Sequence, residues 1–161
     1  MNNGESFSYH TAAVVKTLEV QAIGSINEDF EIPLECIVGF DLVRLDLSQI
    51  RTINSEGTRQ FRNWLFEIEE KLVGVKVKII KIQPVVVRQF TMMHNYFNDS
   101  VEIESVFVPF YCETCDHDDV DTLVTAKDAA EPAKLTKDKK CSKCGQQLLM
   151  DISESYLKIF S

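Results

Sequence analysis

The chain has 161 residues, 45% hydrophobic and 26% charged, with 6 Gly and 4 Pro, which suits one domain with room for a small second one and excludes a low-complexity or fibrous chain. Its 17 Lys and Arg against 25 Asp and Glu leave a net charge of −8, a field that disfavours nucleic acid and anionic membrane surfaces as partners. No apolar run reaches the roughly 18 to 20 residues that cross a bilayer, and the opening MNNGESFSYH lacks the basic start and apolar core of a secretory signal, so a soluble cytoplasmic protein is expected.

The first residues, with His10, read as a loose terminus. Leu18, Val20 and Ala22 then alternate with Glu19 and Gln21, the period of a half-buried strand. Gly24-Ser25 can turn the chain, and Ile26 to Ile32 can return as its hairpin partner. Cys36, in the run Leu34 to Val38, reads as a small buried hydrophobe. Val43, Leu45 and Leu47 alternate with Arg44, Asp46 and Ser48 as a further strand. Phe61, Trp64, Leu65, Ile68 and Leu72 recur at three- and four-residue steps, so an amphipathic helix spans Ser55 to Leu72. A strand follows over Val75–Ile82. A second helix opens at Pro84 and runs to about Phe97, with an apolar set broad enough to face a sheet and something else. A last strand covers Val101–Val108, and Lys76, Lys78, Glu102 and Glu104 mark the polar face of these two strands. Strands joined through helices pair in parallel by right-handed crossovers. The expected fold is α/β, a mixed sheet with helices packed on it.

One junction carries a family signature. Leu45-Asp46-Leu47-Ser48, a short link and Asn54-Ser55-Glu56-Gly57 stand where a strand passes into the first helix. This resembles the pattern of STAS domains, the fold of anti-sigma factor antagonists, in which an apolar strand ends in Asp-x-Ser and Asp-Ser-x-Gly opens a helix. Element order extends the resemblance over about residues 12–108. It implies a STAS-like mixed sheet and a domain without chemistry of its own. It also implies a protein partner, an anti-sigma kinase-like or other signalling protein, docked near Asn54, Ser55, Glu56, Gly57, Arg59 and Arg62. By position, Ser55 corresponds to the serine that such a kinase phosphorylates; here Asn54 stands where the family has Asp. The residues also admit a plainer reading, in which Asn54 or Ser55 caps the helix and Gly57 relieves crowding in its first turn. No nucleophile–base arrangement is evident among His10, His94, His117, Asp46 and Ser48, so no catalysis is expected.

Four of the five cysteines lie in the last 50 residues, which places a boundary near Pro109–Tyr111: a STAS-like domain over 1–110 and a small domain over 111–161. Cys112-Glu-Thr-Cys115 and Cys141-Ser-Lys-Cys144-Gly145 are two CxxC pairs 25 residues apart. Each two-residue gap lets a tight turn aim both sulfurs at one metal, and two such knuckles make a closed tetrahedral site. The arrangement looks like a zinc ribbon, with one structural Zn²⁺ held by Cys112, Cys115, Cys141 and Cys144. Four thiolates leave no open position for a water, and the metal supplies folding energy that about 50 residues cannot draw from a core. Redox chemistry and disulfides are the rival readings. His117 is a potential substitute ligand, although four thiolates leave it no place.

Around the knuckles, strands are expected at Thr122–Thr125 and Gln147–Ile152, with a mobile loop over Ala126 to Lys140. Acidic residues follow the first pair, while Lys134, Lys137, Lys139, Lys140 and Lys143 surround the second. The tail, with Tyr156, Leu157, Ile159 and Phe160, is too apolar to stay free and is expected to dock on the ribbon, the sheet or a second copy. The expected function is non-catalytic, bacterial-type signalling by protein–protein recognition, with Ser55 as a candidate phosphorylation switch or, on the plainer reading, only a helix cap. The alternatives are a nucleic-acid-associated regulator using the Lys-rich ribbon and a purely structural scaffold, a dimeric subunit or other homo-oligomer within a larger assembly.

Overall fold

Apolar residues at every second position build the centre of the molecule. Leu18, Val20 and Ala22 of β2 (Thr17–Ile26), Val43, Leu45 and Leu47 of β3 (Leu42–Ile53), and Val77 and Ile79 of β4 (Lys76–Ile80) are buried, while the residues between them are more open. In this computed structural model, which describes residues 5–119 and 121–161, β1 (Ser8–Val14) and β5 (Val101–Ile103) complete a sheet in the order β1-β2-β3-β4-β5. β1 is antiparallel to β2, and the other neighbours are parallel.

Two helices cover the apolar face. α1 (Ser55–Lys71) buries Phe61, Trp64, Leu65 and Ile68, and α2 (Pro84–Thr91) buries Val86, Val87 and Phe90. Phe61 and Phe90 stack with centroids 5.2 Å apart, so the helices meet through aromatic rings. The other face carries charge. Arg44 reaches Glu104 at 2.8 Å and Glu19 at 3.8 Å, and Lys78 reaches Glu102 at 3.3 Å and Glu104 at 3.7 Å.

The expected elements shift in several places. The amino-terminal segment is β1, and the hairpin turns at Val15-Lys16, not at Gly24-Ser25. Gly24 instead lies in a register shift of β2 at φ +92°, where a Cβ would stand 2.4 Å from the Ser6 carbonyl oxygen. Ile26 to Ile32 does not return as a strand. Residues 27–41 cross over to start β3 parallel to β2, burying Phe30, Ile32 and Ile37 and leaving Cys36 exposed rather than buried. The Trp64 indole N–H holds this crossover by donating to the Ile32 carbonyl at 2.9 Å. α2 ends at Thr91 instead of Phe97: Asn95 takes φ +52°, and Tyr96 folds back so that its hydroxyl donates to the Thr58 carbonyl at 2.6 Å.

The strand expected over Val101–Val108 divides at Glu104. β5 stays in the large sheet, whereas β6 (Ser105–Val108) pairs antiparallel with β9 (Thr122–Thr125). β7 (Phe110–Cys112), β8 (His117–Asp118) and β10 (Leu149–Met150) form a third small sheet, so the strand expected over Gln147–Ile152 is two residues long. The expected mobile loop is instead α3 (Ala126–Ala129) and α4 (Pro132–Thr136), with Thr125 and Asp128 forming a capping box on α3. The tail folds as a 3₁₀ turn over Tyr156–Phe160, burying Tyr156 and Ile159, and the Tyr156 hydroxyl donates to the Phe107 carbonyl at 2.5 Å. The β6–β9 pairing crosses the Pro109–Tyr111 point, and one apolar cluster runs from Leu18 to Ile159. Among the described residues, no helix is long and apolar enough to cross a membrane.

Candidate metal centre and partner face

Each CxxC pair closes the same kind of turn. The residue after its second cysteine lies in the left-handed region, Asp116 at φ +49° and Gly145 at φ +73°, a conformation that Gly adopts freely and Asp tolerates. In the second knuckle the Gly145 N–H donates to the Cys141 carbonyl at 2.9 Å, and the Lys143 N–H points at the Cys141 sulfur at 3.3 Å. The first knuckle is anchored by the β7–β8 ladder, in which Cys112 stands opposite His117. β10 pairs with β7 and brings the strand after the second knuckle alongside the first.

The sulfurs converge. Cys112 Sγ lies 3.6 Å from Cys144 Sγ, and Cys141 Sγ lies 3.9 Å from Cys115 Sγ. A tetrahedron of sulfurs at about 2.3 Å from a central ion has edges of about 3.8 Å. One ligand atom from each of Cys112, Cys115, His117 and Cys141 falls within 4.8 Å of the others, so these four side chains are compatible with a metal site. Cys112 and Cys141 are buried, Cys115 is half-buried and Cys144 is exposed.

Crowding sets the acidity of these thiols. The neighbouring Cys144 thiol, then burial and the other sulfurs, push Cys115 up to about 12. Burial also pushes on Cys141, but the backbone N–H groups of Cys144 and Lys143 outweigh it and lower that thiol to about 7. Packed thiols cannot all ionise without a cation to absorb their charge, and a coordinated metal does that. His117 lies among the cysteines, although the spacing of the two CxxC pairs left it no place. Its Nδ1 is buried with no hydrogen-bond partner among the described residues, and its Nε2 faces Asp119 Oδ2 at 3.8 Å. The signal was present as Cys115-Asp116-His117, since a hairpin closing on Cys112 sets that histidine opposite it.

The second candidate surface is the start of α1. Asn54 is the cap: its Oδ1 accepts the Gly57 N–H at 2.7 Å, and its Nδ2 donates to Glu28 Oε2 at 3.0 Å. Asn54, Ser55 and Arg59 are exposed, while Glu56 and Arg62 are half-buried. Glu56 is paired with Arg59 and accepts from Gln60 Nε2 at 3.1 Å. The Arg62 guanidinium lies 4.5 Å over the Phe66 ring. Gly57 does not belong to this surface. It is buried, and a Cβ there would stand 2.1 Å from the Ile26 carbonyl oxygen.

A cleft of about 750 Å³ separates the large sheet from the cysteine-bearing lobe, with Arg51 and Arg88 on its walls beside Asp118, Asp121 and Asp151. Burial, reinforced by Asp118, raises the Asp121 carboxyl above its ordinary range. No protein-family profile matches the chain, and no curated protein matches it in sequence.

Proposed function

We propose that this is a non-catalytic regulatory protein whose STAS-like sheet presents the start of α1 to a protein partner, with a structural zinc centre holding the carboxy-terminal lobe in place. The observation that carries the reading is Ser55. It occupies the first position of α1, exposed and with no side-chain hydrogen bond among the described residues, because Asn54 has taken the capping role. A phosphate there would add about −1.5 to −2 charges beside free helix N–H groups. Glu56, the next residue in the chain, already has Arg59 as its counter-ion. The fold therefore tolerates the charge, and a docked partner meets it directly.

Zinc is the metal that suits the cysteine-rich donor set, since soft thiolates at tetrahedral spacing favour it. With Cys112, Cys115, Cys141 and Cys144 as ligands it has no open position and serves the fold alone. The test of the regulatory reading compares partners captured by wild type, Ser55→Asp and Ser55→Ala, each with its melting temperature. Ser55→Asp should melt as wild type does and lose one specific partner, which Ser55→Ala retains. Equal capture by all three would make Ser55 an ordinary helix residue. Tight nucleic-acid binding at physiological salt, lost on neutralising the exposed Lys137 and Lys140, would favour the ribbon as a nucleic-acid contact instead.

A further inference from the structure

Five donors surround a centre that has room for four. His117 is directly opposite Cys112 in the β7–β8 pair, so the two side chains project to the same side of the ladder. A ring nitrogen of His117 lies within 4.8 Å of the sulfurs of Cys112, Cys115 and Cys141. Nε2 is turned towards Asp119, which leaves Nδ1, buried and without a hydrogen-bond partner among the described residues. The Asp119 carboxylate is itself fixed, accepting from the backbone N–H and the hydroxyl of Ser142 at 3.0 Å each. A carboxylate behind one ring nitrogen, with a metal before the other, is how proteins orient a histidine ligand. Ser142 belongs to the second knuckle, so the carboxylate that His117 faces is held by that knuckle. Cys144, by contrast, is the exposed residue of the set.

Resting on the zinc reading above, we infer that His117 is a metal ligand through Nδ1 and exchanges with Cys144 for the fourth position. Cys112, Cys115 and Cys141 form the permanent anchor. In the exchange the Zn–S bond to Cys144 breaks, the sulfur leaves with its electron pair and takes a proton from water, and the Nδ1 lone pair makes the new bond. The ion stays Zn²⁺, and nothing is oxidised or reduced. Cys144 is thereby released as an exposed thiol while the metal remains bound.

The experiment measures zinc content and affinity in the full-length chain and in its variants, with Co²⁺ replacing zinc as a spectroscopic probe. Cys144→Ser and His117→Ala should each keep about one metal per chain, as a four-donor site demands. The double variant should bind at least about tenfold more weakly than either, the scale seen when a metal site loses a supporting group. Co²⁺ in Cys144→Ser should show the weaker sulfur-to-metal charge-transfer band of three thiolates and one nitrogen. Adding His117→Cys to Cys144→Ser should restore the four-sulfur spectrum, which shows that the lobe still folds. The inference is overturned if Cys144→Ser loses metal as completely as Cys112→Ser, or if adding His117→Ala to Cys144→Ser changes neither affinity nor spectrum. A wild-type chain that takes up no zinc overturns the zinc reading itself, and is told apart from those results by the wild-type measurement alone.

Discussion

Asn54 accepts a hydrogen bond through Oδ1 and donates one through Nδ2, which explains an amide where the resembling motif has a carboxylate. Aspartate could cap α1 equally well but could not donate to Glu28. The Glu28 backbone and the Asn54 amide hold the Glu28 carboxyl below its ordinary range. Asn54→Ala should cost about 0.5–2 kcal/mol through loss of the cap, read from urea unfolding. Asn54→Asp keeps the cap and sets a second carboxylate against Glu28. Its melting temperature should fall at pH 7, where both are ionised, and recover towards wild type near pH 4. Gly57 is constrained more severely. A Cβ 2.1 Å from the Ile26 oxygen meets backbone that cannot swing aside, so Gly57→Ala should cost at or above the upper end of the roughly 1–3 kcal/mol typical of overpacking.

Between elements, the Asp46 carboxylate ties β3 to the corner after β4. It accepts from the Ser48 N–H at 2.8 Å and from Lys81 Nζ at 2.9 Å, with Lys81 itself at φ +52°. Burial pushes this carboxyl up, but the Ser48 and Lys81 hydrogen bonds outweigh it and leave it below its ordinary range. A group with a depressed folded value stabilises above the unfolded value, about 3.9 for Asp. That stabilisation disappears as pH falls through the folded value. Stability should therefore drop on acidification from pH 5 to pH 3, and Asp46→Asn should reduce the slope over that window, measured by denaturant unfolding. The Trp64–Ile32 hydrogen bond similarly pins the 27–41 crossover to α1. Trp64→Phe keeps most of the packing and should lose about 0.5–1.5 kcal/mol.

Across the whole molecule, the cysteine-bearing lobe is continuous with the sheet through β6, β9 and the tail. Tyr156 is fully buried and bonded to β6, and Ile159 is buried beside it. A short lobe with three two- or three-residue strands cannot hold this arrangement by packing alone, so the metal should be required for it. Chelation, or Cys112→Ser, should make residues 111–161 protease-sensitive and release the tail, while the β1–β5 sheet keeps its circular dichroism. A lobe that stays resistant after the metal is stripped would contradict a structural centre.

Local patterns were legible in the chain itself. The alternation of Val43, Leu45 and Leu47, the helical spacing from Phe61 to Ile68 and the paired CxxC turns each express a period or a gap that sterics impose within a few residues. They specify the central strands, α1 and the paired cysteine turns without reference to any tertiary contact. What lay beyond local reading depended on partners distant in sequence. β1 has little apolar alternation and is a strand because β2 offers it an edge. Residues 27–41 form a crossover because Phe30, Ile32 and Ile37 are buried, with Phe30 packed on Phe61 and Trp64 of α1 and Trp64 bonded to the Ile32 carbonyl. The 101–108 strand divided because β4 pairs with one half and β9 with the other. His117 lies beside the cysteines because strand register sets it against Cys112, with Asp119 facing its other nitrogen at 3.8 Å. Periodicity and spacing are properties of the backbone's own geometry, whereas strand partners, buried connections and the place of His117 among the cysteines follow from which distant surfaces meet.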